Sequence, residues 1–91
     1  MDTSVESASR LARQRLAAEL GGEPDDITLV HVEAVEWPDS SLGCPQPGMF
    51  YLQVITLGYR LILEHNGTQY IYHTDRGRRV VRCTTAPRRR P

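Results

Sequence analysis

Cys44, His73 and Asp75 are the residues whose types first suggest chemistry. A thiol hydrolase needs a cysteine nucleophile, a histidine base and an acid that orients the imidazole, and these three residues supply that set. His73 and Asp75 are separated by a single residue, however, and side chains so placed on a strand point the same way without touching. A catalytic role for Cys44 is therefore one interpretation among several.

Cys44 and Cys83 are the only cysteines in the chain. Reduced, unlinked thiols would suit a cytosolic protein, whereas an oxidising compartment would allow one disulfide between them. A bridge that closes a loop of about 40 residues would stabilise the fold by roughly 3–4 kcal/mol in the chain-entropy description. That is a large share of the stability of a chain of 91 residues, whose core must be modest. We predict this bridge, and because a bridged Cys44 cannot attack a substrate, we predict a protein that is not an enzyme.

The three histidines do not form a metal-binding pattern. No two of His31, His65 and His73 have the spacing of zinc ligands on a helix or a ribbon, and adding Glu33 or Asp75 does not create one. A glycine-rich phosphate loop is also missing from the sequence. We predict no metal and no cofactor, and we expect Asp75 to accept hydrogen bonds from the amides of a turn.

The segment from Trp37 to Met49 is the candidate binding loop. Residues 38–48 contain three prolines and two glycines, which predicts a stiff, irregular loop rather than a strand. A restrained loop on a rigid sheet loses little entropy when it docks, and such loops commonly carry recognition. The alternative is a loop that only shapes a crossover between strands, with Leu42 in the core. The candidate binding residues are Trp37, Pro38, Asp39, Ser40, Leu42, Pro45, Gln46, Pro47 and Met49.

Charge is unevenly distributed along the chain, although the net charge is zero. Residues 1–45 hold nine acidic and three basic side chains, and residues 46–91 hold two acidic and eight basic ones, all of them arginine. The run Arg88–Arg90 would give only a weak, salt-sensitive attraction, so nucleic acid is not a predicted partner. No run approaches the roughly 20 apolar residues of a membrane span, and the N-terminal residues lack the basic and apolar regions of a signal peptide.

The predicted fold is α+β, with an N-terminal helix packed on a four- to five-stranded antiparallel meander sheet. Thr3 and Glu6 have the spacing of a capping box, and Gly21-Gly22 ends the helix. The apolar stripe of the helix consists of Ala8, Leu11, Ala12, Leu16 and Leu20. Residues 1–83 form one domain in this prediction, and residues 84–91 form a disordered tail.

The predicted strands are Ile27–Trp37, Phe50–Ile55, Tyr59–Glu64, Thr68–Thr74 and Val80–Cys83. Alternation in the first of them changes phase, which predicts either a bulge near His31 or burial of both faces of the strand. Asn66-Gly67 predicts a type I′ turn, because both residues tolerate a positive φ. The sequence does not indicate an oligomeric state. The predicted core is Leu16, Leu20, Val30, Val32, Leu61, Leu63 and Val81, with Tyr70 and Tyr72 sharing one strand face.

Four short motifs, taken in order, resemble a known family. They are Trp37-Pro-Asp-Ser-Ser-Leu-Gly-Cys-Pro-Gln-Pro-Gly48, Gly58-Tyr-Arg60, Tyr72-His-Thr-Asp75 and Val80-Val-Arg-Cys83. The order resembles that of a small, functionally uncharacterised bacterial domain that usually occurs in exported proteins and lipoproteins. The resemblance runs from about Ala8 to Cys83, and it implies that both cysteine positions belong to the family pattern, which supports the disulfide. The chain departs from that pattern at Leu57, where proline is usual.

The resemblance implies an extracytoplasmic protein if the two cysteines are bonded, while the lack of a signal peptide in this sequence leaves a cytoplasmic one as the alternative. The order of helix then sheet is also similar to cystatin-like inhibitors and to the PepSY domain, a module associated with peptidase propeptides. We therefore predict a non-enzymatic protein- or peptide-binding module, similar to a peptidase inhibitor in one version. The alternatives are a hydrolase that uses Cys44 and His73, and a purely structural accessory domain.

Overall fold

A computed structural model describes residues 4–76 and 78–83 of the chain. Helix α1 (Ser4–Leu20) leads through a 3-10 turn (Pro24–Asp26) into strands β1 (Thr28–Trp37), β2 (Thr56–His65), β3 (Thr68–Thr74) and β4 (Val80–Arg82). The strands form one antiparallel sheet in the order β1-β2-β3-β4, and α1 packs on one of its faces. The predicted α+β fold is confirmed. Thr3 and the predicted tail at 84–91 lie outside the described residues.

The core lies between α1 and the sheet face that carries Leu61, Leu63 and Tyr72. These three predicted core residues are fully buried, as is Leu16 of the helix. The cluster is completed by Ala12, Ala17, Ile27 and Val80. No helix in the described part of the chain has the length and apolar character needed to cross a membrane.

The predicted bulge in β1 is confirmed and lies at Val30. The pairing of β1 with β2 runs from Leu29 opposite Leu63 directly to His31 opposite Ile62, which leaves Val30 as the extra residue. Beyond the bulge, Val32 stands opposite Leu61 on the helix-facing side, while Trp37 stands opposite Thr56 on the other side of the sheet. The bulge thus decides that Trp37 points away from α1.

The turn at Asn66-Gly67 is also as predicted, with φ of 52° and 82° at its two central residues. Both values lie in the left-handed region that a type I′ turn needs. The turn joins β2 to β3 in a register that pairs His65 with Thr68 and Arg60 with His73. His73 therefore lies on the same face of the sheet as Trp37.

The predicted strand at Phe50–Ile55 is wrong, because only one residue in this range has a bend and the rest have no regular structure. β1 pairs with β2 up to Trp37 and Thr56, so the chain before Thr56 has left the sheet with no neighbouring strand to join. β-propensity reflects packing within a ladder and does not form a strand without a partner.

Three predicted core residues are exposed instead. Leu20 is the last residue of α1, Val30 occupies the bulge, and Val32 lies on the edge strand β1. Among the strands, α1 packs chiefly against β2 and β4, so it leaves Val32 of β1 largely uncovered, whereas Leu29 is half-buried against the core. Val81, which faces away from α1, is only partly buried.

Candidate functional site

The connection between β1 and β2 folds back over the sheet face opposite α1, where a disulfide holds it. Cys44 and Cys83, 39 residues apart in sequence, are bonded, and their Cα atoms lie 5.7 Å apart. Both half-cystines are buried. Cys83 follows β4 directly, and its amide donates to the carbonyl of Ile71 in β3. The bridge therefore ties the middle of the loop to the sheet, as predicted.

Trp37 and His73 form a stacked pair beneath this loop. Their ring centroids lie 4.3 Å apart with an angle of 25° between the ring planes. Trp37 Nε1 also donates a 2.9 Å hydrogen bond to the carbonyl oxygen of Thr74. Gly58 of β2 lies between the two strands that carry these residues, and a Cβ there would collide with the same carbonyl. The absence of a side chain at Gly58 thus permits the close approach of backbone that this end of the sheet requires.

Leu42 and Gly43 shape the loop above the stacked pair. Both have positive φ, 59° at Leu42 and 76° at Gly43, which is rare for leucine. Leu42 is fully buried, so the favourable burial of its side chain offsets a backbone strain of about 1–3 kcal/mol. A Cβ at Gly43 would lie 2.6 Å from the Trp37 ring. Glycine is therefore required there for space as well as for conformation.

The Nδ1 atom of His73 meets two groups of the loop. It lies 2.7 Å from the carbonyl oxygen of Leu42 and 3.1 Å from Cys44 Sγ. A carbonyl oxygen and a disulfide sulfur are both acceptors, so the proton of the neutral ring must be on Nδ1, which donates to Leu42. Burial lowers the pKa of His73, against the opposing effect of this hydrogen bond. The neutral imidazole is thus part of what holds the loop.

Asp39 and its neighbours fix the start of the loop. Asp39 Oδ1 accepts hydrogen bonds from the amide and the hydroxyl of Ser41, at 2.9 and 2.6 Å, and these bonds lower the pKa of Asp39. Ser40 exchanges two hydrogen bonds with the backbone of Leu52, and its carbonyl accepts one from Arg79. The hydroxyls of Ser40 and Ser41 are thus engaged in the frame of the loop.

The predicted binding residues divide into buried and exposed groups. Trp37 and Leu42, the two predicted apolar anchors within residues 37–48, are 6% and 0% exposed, so their side chains are not available to a partner. Asp39 and Ser40 are half-buried. Those left at the surface are Pro38, Pro45, Gln46, Pro47 and Met49. The loop is therefore a frame whose large apolar side chains point inward.

The most exposed of the large apolar side chains in the described part of the chain lie just after the loop, in Met49–Leu57, called here the apolar segment. Phe50 is 98% exposed, Leu52 and Ile55 are each 70% exposed, and Met49, Val54 and Leu57 are also exposed. Tyr51, between them, is half-buried, and its hydroxyl accepts a hydrogen bond from the amide of Gln46. Sequence reasoning missed this surface because aromatic and β-branched residues in the segment are typical of a strand, whose partner would have covered one side.

Of the three residues considered for catalysis, Cys44, His73 and Asp75, the structure brings only the first two into contact. Cys44 and His73 are adjacent, but Cys44 is bonded to Cys83 and is not a thiolate in this state. Asp75 instead accepts hydrogen bonds from the amides of Arg78 and Arg79, at 2.8 and 2.9 Å, as predicted for a residue that caps a turn. In this arrangement Asp75 supports the turn after β3.

The histidines considered for zinc are dispersed. The Nε2 atom of His31 lies 3.6 Å from Oε1 of Glu33 on the same strand. His65 lies beside Gly22, at the end of the sheet opposite to His73. Among the described residues, a group with metal-ligand atoms does exist elsewhere, in Cys44, His73 and Cys83, whose ligand atoms all lie within 4.8 Å of one another. Spacing rules did not reveal this group because its three members are far apart along the chain.

Comparison with protein families identifies the family of this chain. No curated protein and no solved structure matches the chain. Residues 9–83 match DUF8738, which is described as a domain of unknown function. This range begins within α1 and ends at the second half-cystine, so it includes the loop, the stacked pair and the bridge. The chain therefore belongs to the DUF8738 family.

Proposed function

We propose that this protein is a non-enzymatic protein- or peptide-binding module whose docking surface is the apolar segment, held in place by the disulfide-bonded loop. The observation that carries this proposal is Phe50, a large aromatic side chain that is 98% exposed with exposed apolar neighbours. Monomeric proteins rarely expose contiguous apolar surface of this kind unless it contacts a partner. Aromatic side chains are also enriched among the residues that dominate binding energy.

The frame next to the segment favours docking at low entropic cost. Ser40 bonds the backbone of Leu52 in both directions, and Tyr51 bonds Gln46. Each of these contacts links the apolar segment to a loop that the Cys44–Cys83 bridge restrains. A surface that is ordered before it binds loses less conformational freedom when a partner docks. Pro45, Gln46 and Pro47 supply the exposed polar and proline rim of this surface.

We propose that the protein works outside the cytoplasm, and the buried disulfide supports this, because disulfides in small domains are typical of oxidising compartments. In that setting, one version of the module is a peptidase inhibitor, in which the apolar segment and the adjoining rim enter an active-site cleft. Capture of a peptidase would support the inhibitor hypothesis. Capture of another class of protein would support a binding module that is not an inhibitor.

The test places a photo-crosslinking phenylalanine analogue at Phe50 and, as a control, at Gln69, an exposed residue of β3. We expect position 50 to capture a discrete polypeptide from an envelope or culture-fluid extract and position 69 not to capture it. The purified partner should then bind Phe50→Asp at least tenfold more weakly than wild type. Val30→Asp, which alters an exposed valine on β1, should leave the affinity unchanged. Equal affinity of wild type and Phe50→Asp would refute the proposal.

A thiol hydrolase is the second candidate, favoured by the 3.1 Å distance between Cys44 Sγ and His73 Nδ1. It requires the disulfide to be reduced, since only a thiolate attacks. An electrophilic thiol probe should label Cys44 faster than Cys83 in reduced protein, and His73→Ala should remove the difference. Equal slow labelling of both cysteines would exclude this candidate.

A further inference from the structure

We infer that reduction of the Cys44–Cys83 disulfide creates a binding site for Zn²⁺ or a similar divalent transition-metal ion. Its ligands are the thiolates of Cys44 and Cys83 and the imidazole of His73. None of the three ligand residues belongs to the apolar segment, so the tests of the metal site and of the docking surface can fail separately. Thiolate and imidazole are the ligands that zinc most often takes in proteins.

The distances fit such a site. The three ligand atoms lie within 4.8 Å of one another, and the Cα atoms of the two cysteines lie 5.7 Å apart. Around a tetrahedral zinc ion, with bonds of about 2.3 Å to sulfur and about 2.0–2.1 Å to nitrogen, ligand atoms lie roughly 3.5–3.8 Å apart. Once the sulfur atoms are no longer bonded, rotation about the Cα–Cβ bonds of Cys44 and Cys83 separates them to this spacing.

Three separate parts of the backbone hold the ligands in place. His73 is near the end of the inner strand β3, opposite Val81, and Trp37 stacks on its ring. The amide of Cys83 donates to Ile71, and that of Cys44 donates to Ser41. None of these contacts uses the sulfur–sulfur bond, so each ligand retains local support when that bond is broken. Preorganised ligands lower the entropic cost of binding an ion.

Reduction and binding balance in protons and electrons. A dithiol reductant supplies two electrons and two protons, and it becomes a disulfide as the Cys44–Cys83 bond breaks into two thiols. Zinc binding then releases the two thiol protons. The imidazole shifts its proton from Nδ1 to Nε2, with no net release, and gives up its hydrogen bond to Leu42. The Leu42 carbonyl oxygen, 2.7 Å from Nδ1, or a water molecule can then take the fourth position.

The experiment uses Co²⁺ as the probe, on the full chain with the bridge reduced. We expect a thiolate-to-cobalt charge-transfer band with the visible bands of tetrahedral cobalt. Trp37 is the only tryptophan and lies against His73, so its fluorescence should fall as Co²⁺ binds and recover when Zn²⁺ displaces it. Oxidised protein should show neither signal.

Variants decide whether the site is the one described. His73→Ala should weaken Co²⁺ binding at least tenfold, Cys44→Ser with Cys83→Ser should abolish the charge-transfer band, and His65→Ala should change nothing. Far-UV circular dichroism with and without Zn²⁺ shows whether the ion binds a folded chain or folds it. Octahedral cobalt without a charge-transfer band in reduced wild type would overturn the inference. Equal affinity of His73→Ala and wild type would overturn it as well.

Discussion

The two halves of the β1–β2 connection contrast in how they meet the sheet. In the first half, residues 38–48, the large apolar side chain of Leu42 is fully buried although its backbone is strained. In the second half, the apolar segment, the side chain of Phe50 is almost fully exposed although its backbone φ is unexceptional. Hydrophobicity alone would bury Phe50 as readily as Leu42. What differs is attachment to the sheet, because the first half is tied to Cys83 and to His73. The hydrogen bonds of Tyr51 and Leu52 in the second half run to the first half.

The largest effect on this contrast should come from removing the bridge. We expect Cys44→Ser with Cys83→Ser to lower the free energy of unfolding by roughly 3–4 kcal/mol, because the open chain regains the entropy of a loop that spans 39 residues. Urea denaturation measures the change. Wild type in reductant should match the double variant in metal-free buffer, and a loss below about 1 kcal/mol would show that the loop is held mainly by noncovalent packing.

Two matched alanine substitutions test whether the stability of the fold depends on the burial of a large apolar side chain or only on its presence in the loop. We expect Leu42→Ala to cost about 2–3 kcal/mol, because it opens a cavity that the surface loop can partly fill by collapse. Phe50→Ala should change the free energy of unfolding by no more than about 0.5 kcal/mol, since an exposed side chain loses no core packing. Urea denaturation of the two variants side by side measures both changes. A larger loss of stability in Phe50→Ala than in Leu42→Ala would contradict the contrast between the two halves.

A pair of glycines separates conformational strain from crowding. Gly43 and Gly48 have nearly equal φ, 76° and 80°, but a Cβ would strike the Trp37 ring at Gly43 and meet nothing within 4 Å at Gly48. We expect Gly48→Ala to cost about 1 kcal/mol and Gly43→Ala about 2 kcal/mol. Thermal melting with tryptophan fluorescence measures both, and equal losses would mean that Trp37 yields to the added methyl group at little cost.

The smallest predicted effect is a pH dependence confined to the first half. Burial lowers the pKa of His73 in the folded state, so the unfolded chain takes up a proton first as the pH falls. Stability is therefore full above the ordinary pKa of histidine and declines as the pH falls through it towards the folded pKa. Denaturation midpoints of wild type and His73→Gln across this range should show a steeper acid-side decline in wild type. Parallel profiles would assign the decline to other groups.

Sequence patterns predicted the elements well where the signal is local. The spacing of Leu16 with its neighbours placed α1, Asn66-Gly67 placed the hairpin, and the phase change in Ile27–Trp37 placed the bulge. These features depend on residues that are close in sequence, so periodicity and turn chemistry suffice to find them.

Patterns failed where distant residues decide the outcome. The aromatic and β-branched residues of Phe50–Ile55 are typical of a strand, but pairing of Trp37 with Thr56 leaves this segment no neighbouring strand. The types of Cys44 and His73 suggested a contact, yet their relation to Trp37 and Leu42 arises from the crossing of three separate segments. Such geometry follows from tertiary packing, which overrides local preference.

The bulge at Val30 has a consequence for aggregation. β1 is an outer strand of the sheet, and a long regular edge strand is a template on which another molecule can add its own strand. The extra residue interrupts the register of β1 with β2, and bulges of this kind twist an edge so that a flat second strand fits it poorly. The opposite edge, β4, is only three residues long. With both edges blunted in this way, the sheet resists edge-to-edge polymerisation even though an apolar surface lies exposed beside it.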